Sequence, residues 1–315
     1  MTTTRHWLPV LALALLGASG GTHGDEMARL SADAAPPPLS IGLALGSGGA
    51  TGLAHIAMLQ VFDDLGVRPA RITGTSIGAI IGALYAAGLD ASEIRDVFDE
   101  FGGSSLDMLS GLLEADPGDK LTGLLEIELG NGGVLDSKRF MDFLRSKVEA
   151  RRFRDLRIPL EVVATDYWSG KTVVLREGDL FEALAASSAV PGLFPPVQRG
   201  DQLLIDGGTS NPLPVGLLAG RYPLVVAIDV SGTREHSEDG QAGLTELLFQ
   251  TFGLMQQSLI TAQLEMSQPD VYIKPDISGV RLLQFNRIEG VMEESRPAAE
   301  ALRNALRHAL ERQSP

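Results

Sequence analysis

The chain of 315 residues has no cysteine, so nothing in it can oxidise to a disulfide. That is compatible with an oxidising compartment without proving one, and it excludes a lipoprotein start, which needs a Cys after the leader's small residues. Aromatic residues are scarce at 5%, against 36 glycines and 17 prolines. This profile fits a loop-rich α/β chain better than a helical bundle or a disordered one. Basic residues number 26 against 40 acidic ones, with no basic cluster interrupting the excess, so nucleic acid is not an expected partner. The first apolar run, Trp7 to Leu16, is too short to span a bilayer.

That run is preceded by Arg5 and followed by Gly17, Ala18, Ser19 and Gly20. The order is that of a secretory signal peptide, expected over 1–24, although a buried N-terminal helix has a similar pattern. Residues 25–40 read as an Ala/Pro-rich linker, with SADAAPPPLS from Ser31 to Ser40, ahead of a single domain over 41–315. With export, the expected location is periplasmic or secreted. The acidic balance that remains does not draw the chain to anionic lipid.

Within that domain, Ile41–Leu45 reads as an apolar strand, Gly52–Leu65 as a helix and Arg71–Gly74 as a second strand. Ile77–Ala87 reads as a small-residue helix closed by Gly88, and Asp90 with Glu93 makes a capping box for a helix over Ala91–Phe101. Successive βα units of this kind predict a parallel sheet covered by helices. Further on, Asp136–Ala150 and Leu180–Ser188 read as helices, and Trp168–Val174 as a hairpin. Strands are expected at Leu160–Asp166, Leu203–Asp206, Leu224–Asp229 and Val271–Lys274. A long helix over Thr245–Ser267 and a terminal one around Ala298–Leu310 complete the pattern, while Gly102–Val134 has the look of a cap or lid.

Two glycine-rich turns follow the first two strands. Gly46-Ser47-Gly48-Gly49 superficially resembles a dinucleotide cradle, but the second strand ends Ile72-Thr73-Gly74 without the acidic residue a ribose needs. No Lys follows Gly52 as a phosphate loop requires, so nucleotide binding is not expected. Gly74-Thr75-Ser76-Ile77-Gly78 is a G-x-S-x-G between strand and helix, where paired glycines permit a tight turn that pushes a serine hydroxyl outward. A serine is a poor nucleophile until a base takes its proton. Two bases are available: His236, in the polar loop SGTREHSEDG, would complete a Ser-His-Asp triad, and Asp206, delivered by an apolar strand into Gly207-Gly208, can accept the proton itself.

Three blocks, GLALGSGGATGLAHIAML, GTSIGAIIGALYAAG, and the pair ASSAVPGLFPP with LIDGGTSNPLPV, in this order, resemble the patatin-like phospholipase family, its bacterial members especially. The likeness runs from about Ile41 to Asp229, and the segment to Phe285 is compatible. It implies a three-layer α/β/α fold with a mostly parallel central sheet, and hydrolysis of acyl esters of lipids through an acyl-enzyme by a Ser76–Asp206 dyad without His. It also implies that the glycine loop is the oxyanion hole, Gly46, Ser47, Gly48 and Gly49, with donors around Gly48 and Gly49. Gly52, Gly74, Gly78, Gly207 and Gly208 support the motifs, and Ser187 and Ser188 line or support the pocket. The family usually has Arg or Lys where this chain has Thr51, and Gly where it has Ser47, which keeps open a lipid-binding protein without catalysis. No cofactor or metal is implied, and calcium is not expected to be needed. The substrate would be a lipid or phospholipid met at a membrane or micelle surface through apolar helix faces. Outer-membrane anchoring by a β-barrel is not expected.

Overall fold

The computed structural model describes residues 39–101, 137–232 and 244–312. The expected signal peptide, most of the linker, the span 102–134 and His236 lie outside them. The central strands are β1 (Ile41–Leu45) and β7 (Leu224–Ile228), both buried along their whole length. Such unbroken apolar runs suit strands covered on both faces. Parallel to them run β2 (Arg71–Thr75), β3 (Leu160–Asp166) and β8 (Val271–Ile273), while β4 (Thr172–Leu175), β5 (Val197–Arg199) and β6 (Gln202–Asp206) pair antiparallel. The order is β5-β6-β3-β2-β1-β7-β8, with β4 on β3 beside that path. This is the mostly parallel sheet expected, with an antiparallel margin.

Side chains alternate across the sheet with period two. Ile41, Leu43, Leu45, Val226 and Ile228 face one core with helices α1 (Ala54–Asp64), α2 (Ile77–Ala87), α3 (Ala91–Phe101), α4 (Ser137–Lys147) and α5 (Leu180–Ser187). Ala44, Val225 and Ala227 face a second core with Leu213, Val215, Leu218 and Ile260 of helix α6 (Leu244–Met266). Helix α7 (Ile288–Glu294) and α8 (Arg296–Glu311) return to the first core through Val291, Leu302 and Leu306. The result is helix, sheet and helix in three layers.

Boundaries follow local chemistry. Helix α2 ends where Gly88 takes φ 112°, and Asp90 and Glu93 exchange the expected capping bonds at 2.9 Å. The helix read from Gly52 instead begins as a 3-10 turn, Gly49–Leu53. The expectation of no basic cluster is corrected: Arg71, Arg152, Arg154 and Arg176 line one cleft of about 620 Å³ that begins at the amino ends of β2 and β3. Two of them, Arg152 and Arg154, stand in RRFRDLR over Arg151–Arg157, where four of seven residues are basic, and folding adds Arg71 and Arg176.

Register brings two strand ends together. On β3, residues 160–163 pair with β2, 162–165 with β4 and 164–166 with β6. A strand has two edges, so partners that overlap in register must occupy different ones. Strand β4 overlaps both others, so β2 and β6 share the remaining edge. Strand β2 ends at Thr75 opposite Val163, and β6, running the other way, ends at Asp206 opposite the next residue, Ala164. The two carboxyl ends therefore meet tip to tip.

Candidate active site

Ser76 follows β2 and precedes α2. It holds φ 55° and ψ −121°, the one non-glycine residue at positive φ among those described. Such strain persists only where the surroundings impose it. Here Gly78 lets the helix start pack against β1: a Cβ there would lie 2.4 Å from the Leu45 carbonyl oxygen and 2.6 Å from that of Gly46, with no flexible side chain to yield. Gly74 lies under the backbone of Ala79, and Gly52 against the Ile77 side chain. Ser76 itself is 8% exposed, and its N–H donates to Ser187 Oγ at 2.9 Å, which in turn donates to the Val163 carbonyl at 2.5 Å. Ser187 thus supports the elbow from below, whereas Ser188 bonds back to Leu184 within its own helix.

Ser76 Oγ donates to Asp206 Oδ2 at 2.7 Å. The second carboxylate oxygen, Oδ1, accepts the Gly208 N–H at 2.7 Å. The Asp206 N–H bonds Ala189, its carbonyl accepts from Thr165 Oγ1, and Gly207 lies against the Val163 carbonyl, so the backbone on both sides of the carboxylate is fixed. Burial raises the Asp206 pKa to about 6, and the hydrogen bonds from Ser76 and Gly208 hold it from rising further. In a Ser-His-Asp arrangement an imidazole would separate these two groups; here they touch.

The glycine loop lies at the end of β1, between β2 and β7. The amides of Gly46 and Ser47 donate to the carbonyls of Ile228 and Pro212, at 3.0 and 2.9 Å. Of the four residues expected to form the oxyanion hole, the first two have their amides engaged in anchoring the loop. The N–H groups of Gly48 and Gly49 have no acceptor among the described residues. Thr51 Oγ1 lies 2.8 Å from the Gly48 carbonyl and 2.5 Å from that of Val230, so its hydroxyl ties the loop to the end of β7. His55, fully buried below, donates from Nε2 to the Gly46 carbonyl at 2.9 Å, and burial lowers its pKa to about 4. It is therefore a neutral strut and not a base. Among the described residues no group of three or more His, Asp or Glu is placed to hold a metal ion.

One participant escaped sequence reading. Gln256 of α6 accepts from Ser47 Oγ at 3.0 Å in a buried contact. It is one glutamine among several in a mixed helix, separated from its partner by 209 positions, and no local pattern marks it.

A family model described as patatin-like phospholipase matches residues 43–219. The uncharacterized NTE family protein Rv1063c of Mycobacterium tuberculosis is 35% identical over 196 residues, 61% of this chain and 49% of that protein. Patatin-like phospholipase domain-containing protein 6 of Mus musculus is 30% identical over 199 residues, 62% of this chain and 14% of its own. The chain therefore spans at most about half the length of these curated relatives. Among solved structures, VipD from Legionella pneumophila aligns over 86% of this chain and 68% of its own, with a TM-score of 0.46 and 14% identity.

Proposed function

We propose that this chain, which belongs to the patatin-like phospholipase family, is a serine hydrolase of lipid carboxylic esters that works through a Ser76–Asp206 dyad. The observation that carries this reading is the direct 2.7 Å hydrogen bond from Ser76 Oγ to Asp206 Oδ2 at a strained strand-to-helix turn. Ser76 Oγ forms a bond to the ester carbonyl carbon while its proton passes to Asp206. The negative charge arising on the carbonyl oxygen is met by the N–H groups of Gly48 and Gly49 and by the amino end of α2. As the intermediate collapses, the carbon–oxygen bond to the alcohol breaks and the alcohol leaves with the proton from Asp206. Water then attacks the acyl carbon, gives a proton to Asp206, and the acid departs as that proton returns to Ser76.

The substrate is met at a lipid surface. Trp168, 75% exposed, and Tyr167 cap the β3–β4 hairpin, and Leu247, Leu248, Leu254 and Met255 are exposed on α6. Between Glu246 and Glu265 this helix has no charged residue, which suits an uncharged or zwitterionic surface. Export rests on Arg5, the apolar run and the small residues that follow, and sequencing the amino end of the secreted protein tests it.

The dyad is tested with a fluorophosphonate probe and a phospholipid in mixed micelles. Wild type is expected to label and to hydrolyse, and Ser76→Ala to lose labelling and to drop in turnover by about 10⁴-fold or more. Folded wild type that takes no label, or label that persists in Ser76→Ala, overturns the reading.

A further inference from the structure

Helix α6 reaches the catalytic end of the sheet through glutamines. Gln256 accepts from Ser47, Gln257 Nε2 donates to the Gly232 carbonyl at 3.1 Å, and Gln263 Nε2 lies 3.5 Å from the Ser210 carbonyl. Of these, Gln256 occupies the position nearest the chemistry. It is 6% exposed, and a Cβ on Gly208 would lie 2.1 Å from its Nε2 and 2.8 Å from Asp206 Oδ1. One carboxamide therefore fills the gap between the glycine loop and the turn that closes on the Asp206 carboxylate.

The glycine loop needs such a fixture beyond its root. Backbone bonds fix Gly46 and Ser47, but the N–H groups of the next two residues, which would receive the oxyanion, have no acceptor of their own among the described residues. The Ser47 hydroxyl is the last side chain before them, and its partner is Gln256.

Resting on the serine hydrolase reading, we propose that Gln256 is a positioning residue, which through Ser47 Oγ and its packing on Gly208 sets the oxyanion loop relative to Asp206. Helix α6, exposed on its outer side at Leu254 and Met255, is thereby mechanically joined to the catalytic loop through the adjacent residue. A change in the seating of α6 moves the donors and leaves the dyad's own hydrogen bond intact.

The test uses the full chain, with Gln256→Leu, Ser47→Ala and the double variant assayed on a soluble short-chain ester. Losing an oxyanion donor outright lowers turnover about 100- to 1,000-fold, so displacing donors without removing them is expected to lower kcat about 10-fold. KM is expected to stay within about twofold, and the double variant to fall no further than the weaker single one, because both remove one bond. Fluorophosphonate labelling is expected to go to completion in every variant, at a reduced rate. Gln256→Leu with wild-type kcat, a loss confined to KM, or singles whose losses multiply overturns the proposal. If Gln256→Leu does not fold, Ser47→Ala reads the same bond from its other end by the same criteria. A wild type that neither labels nor hydrolyses defeats the hydrolase reading and this one together, whereas an active wild type with an equally active Gln256→Leu defeats this one alone.

Discussion

At Asp206 a carboxylate is buried beside an alcohol, and burial lifts its pKa to about 6. In the proposed dyad the base must be ionised to accept the Ser76 proton, so activity is expected in the pH range above that value. Below about pH 6, kcat/KM is expected to fall about tenfold per unit, and a pH profile on a soluble ester checks it; a flat profile down to pH 4.5 would falsify Asp206 as the base. The Ser76–Asp206 contact was expected from the family resemblance, and each residue stands in a short glycine-flanked run that the sequence displays. Gln256 was not, since its role comes from a fold contact and not from its neighbours. The engagement of the Gly46 and Ser47 amides was equally hidden, because their acceptors, Ile228 and Pro212, lie far along the chain.

Among the elements, the glycine loop and its 3-10 turn depend on one hydroxyl. Thr51 Oγ1 has one proton to share between the half-buried Gly48 carbonyl and the buried Val230 carbonyl, where the family's usual residue is a cation. Thr51→Val, nearly the same shape, removes that one donor and leaves the buried Val230 carbonyl without it. It is expected to lower unfolding stability by about 1–3 kcal/mol in urea titration and to reduce kcat more than it raises KM. Unchanged stability would mean that the loop is held by its backbone alone. Most elements were legible from periodicity and caps: β1, α2, α3 and β3 run over the ranges read from the sequence. Strand β5 was not, being three residues after Pro195 and Pro196, too short for alternation to register. Helix α7 was missed for the same reason of length, at seven residues.

For the molecule as a whole, formal charge is −14, and the exposed apolar helix face has no cation between Glu246 and Glu265. Turnover on anionic mixed micelles is expected to be lower than on zwitterionic ones at about 0.01 M salt, and the difference to shrink at about 0.15 M, as the screening length falls from about 30 to about 8 Å. Faster turnover on the anionic surface at low salt would overturn this expectation. The three-layer plan was legible from the succession of strands and helices, but the tip-to-tip meeting of β2 and β6 was not, because it depends on which edge of β3 each strand takes. That shared edge makes the spacing of the proposed nucleophile and base, Ser76 and Asp206, independent of the 130 positions separating them in the chain. Excursions between them can be lengthened, shortened or exchanged by evolution or by design, provided that β3 keeps its count, while the Ser76–Asp206 contact stays put.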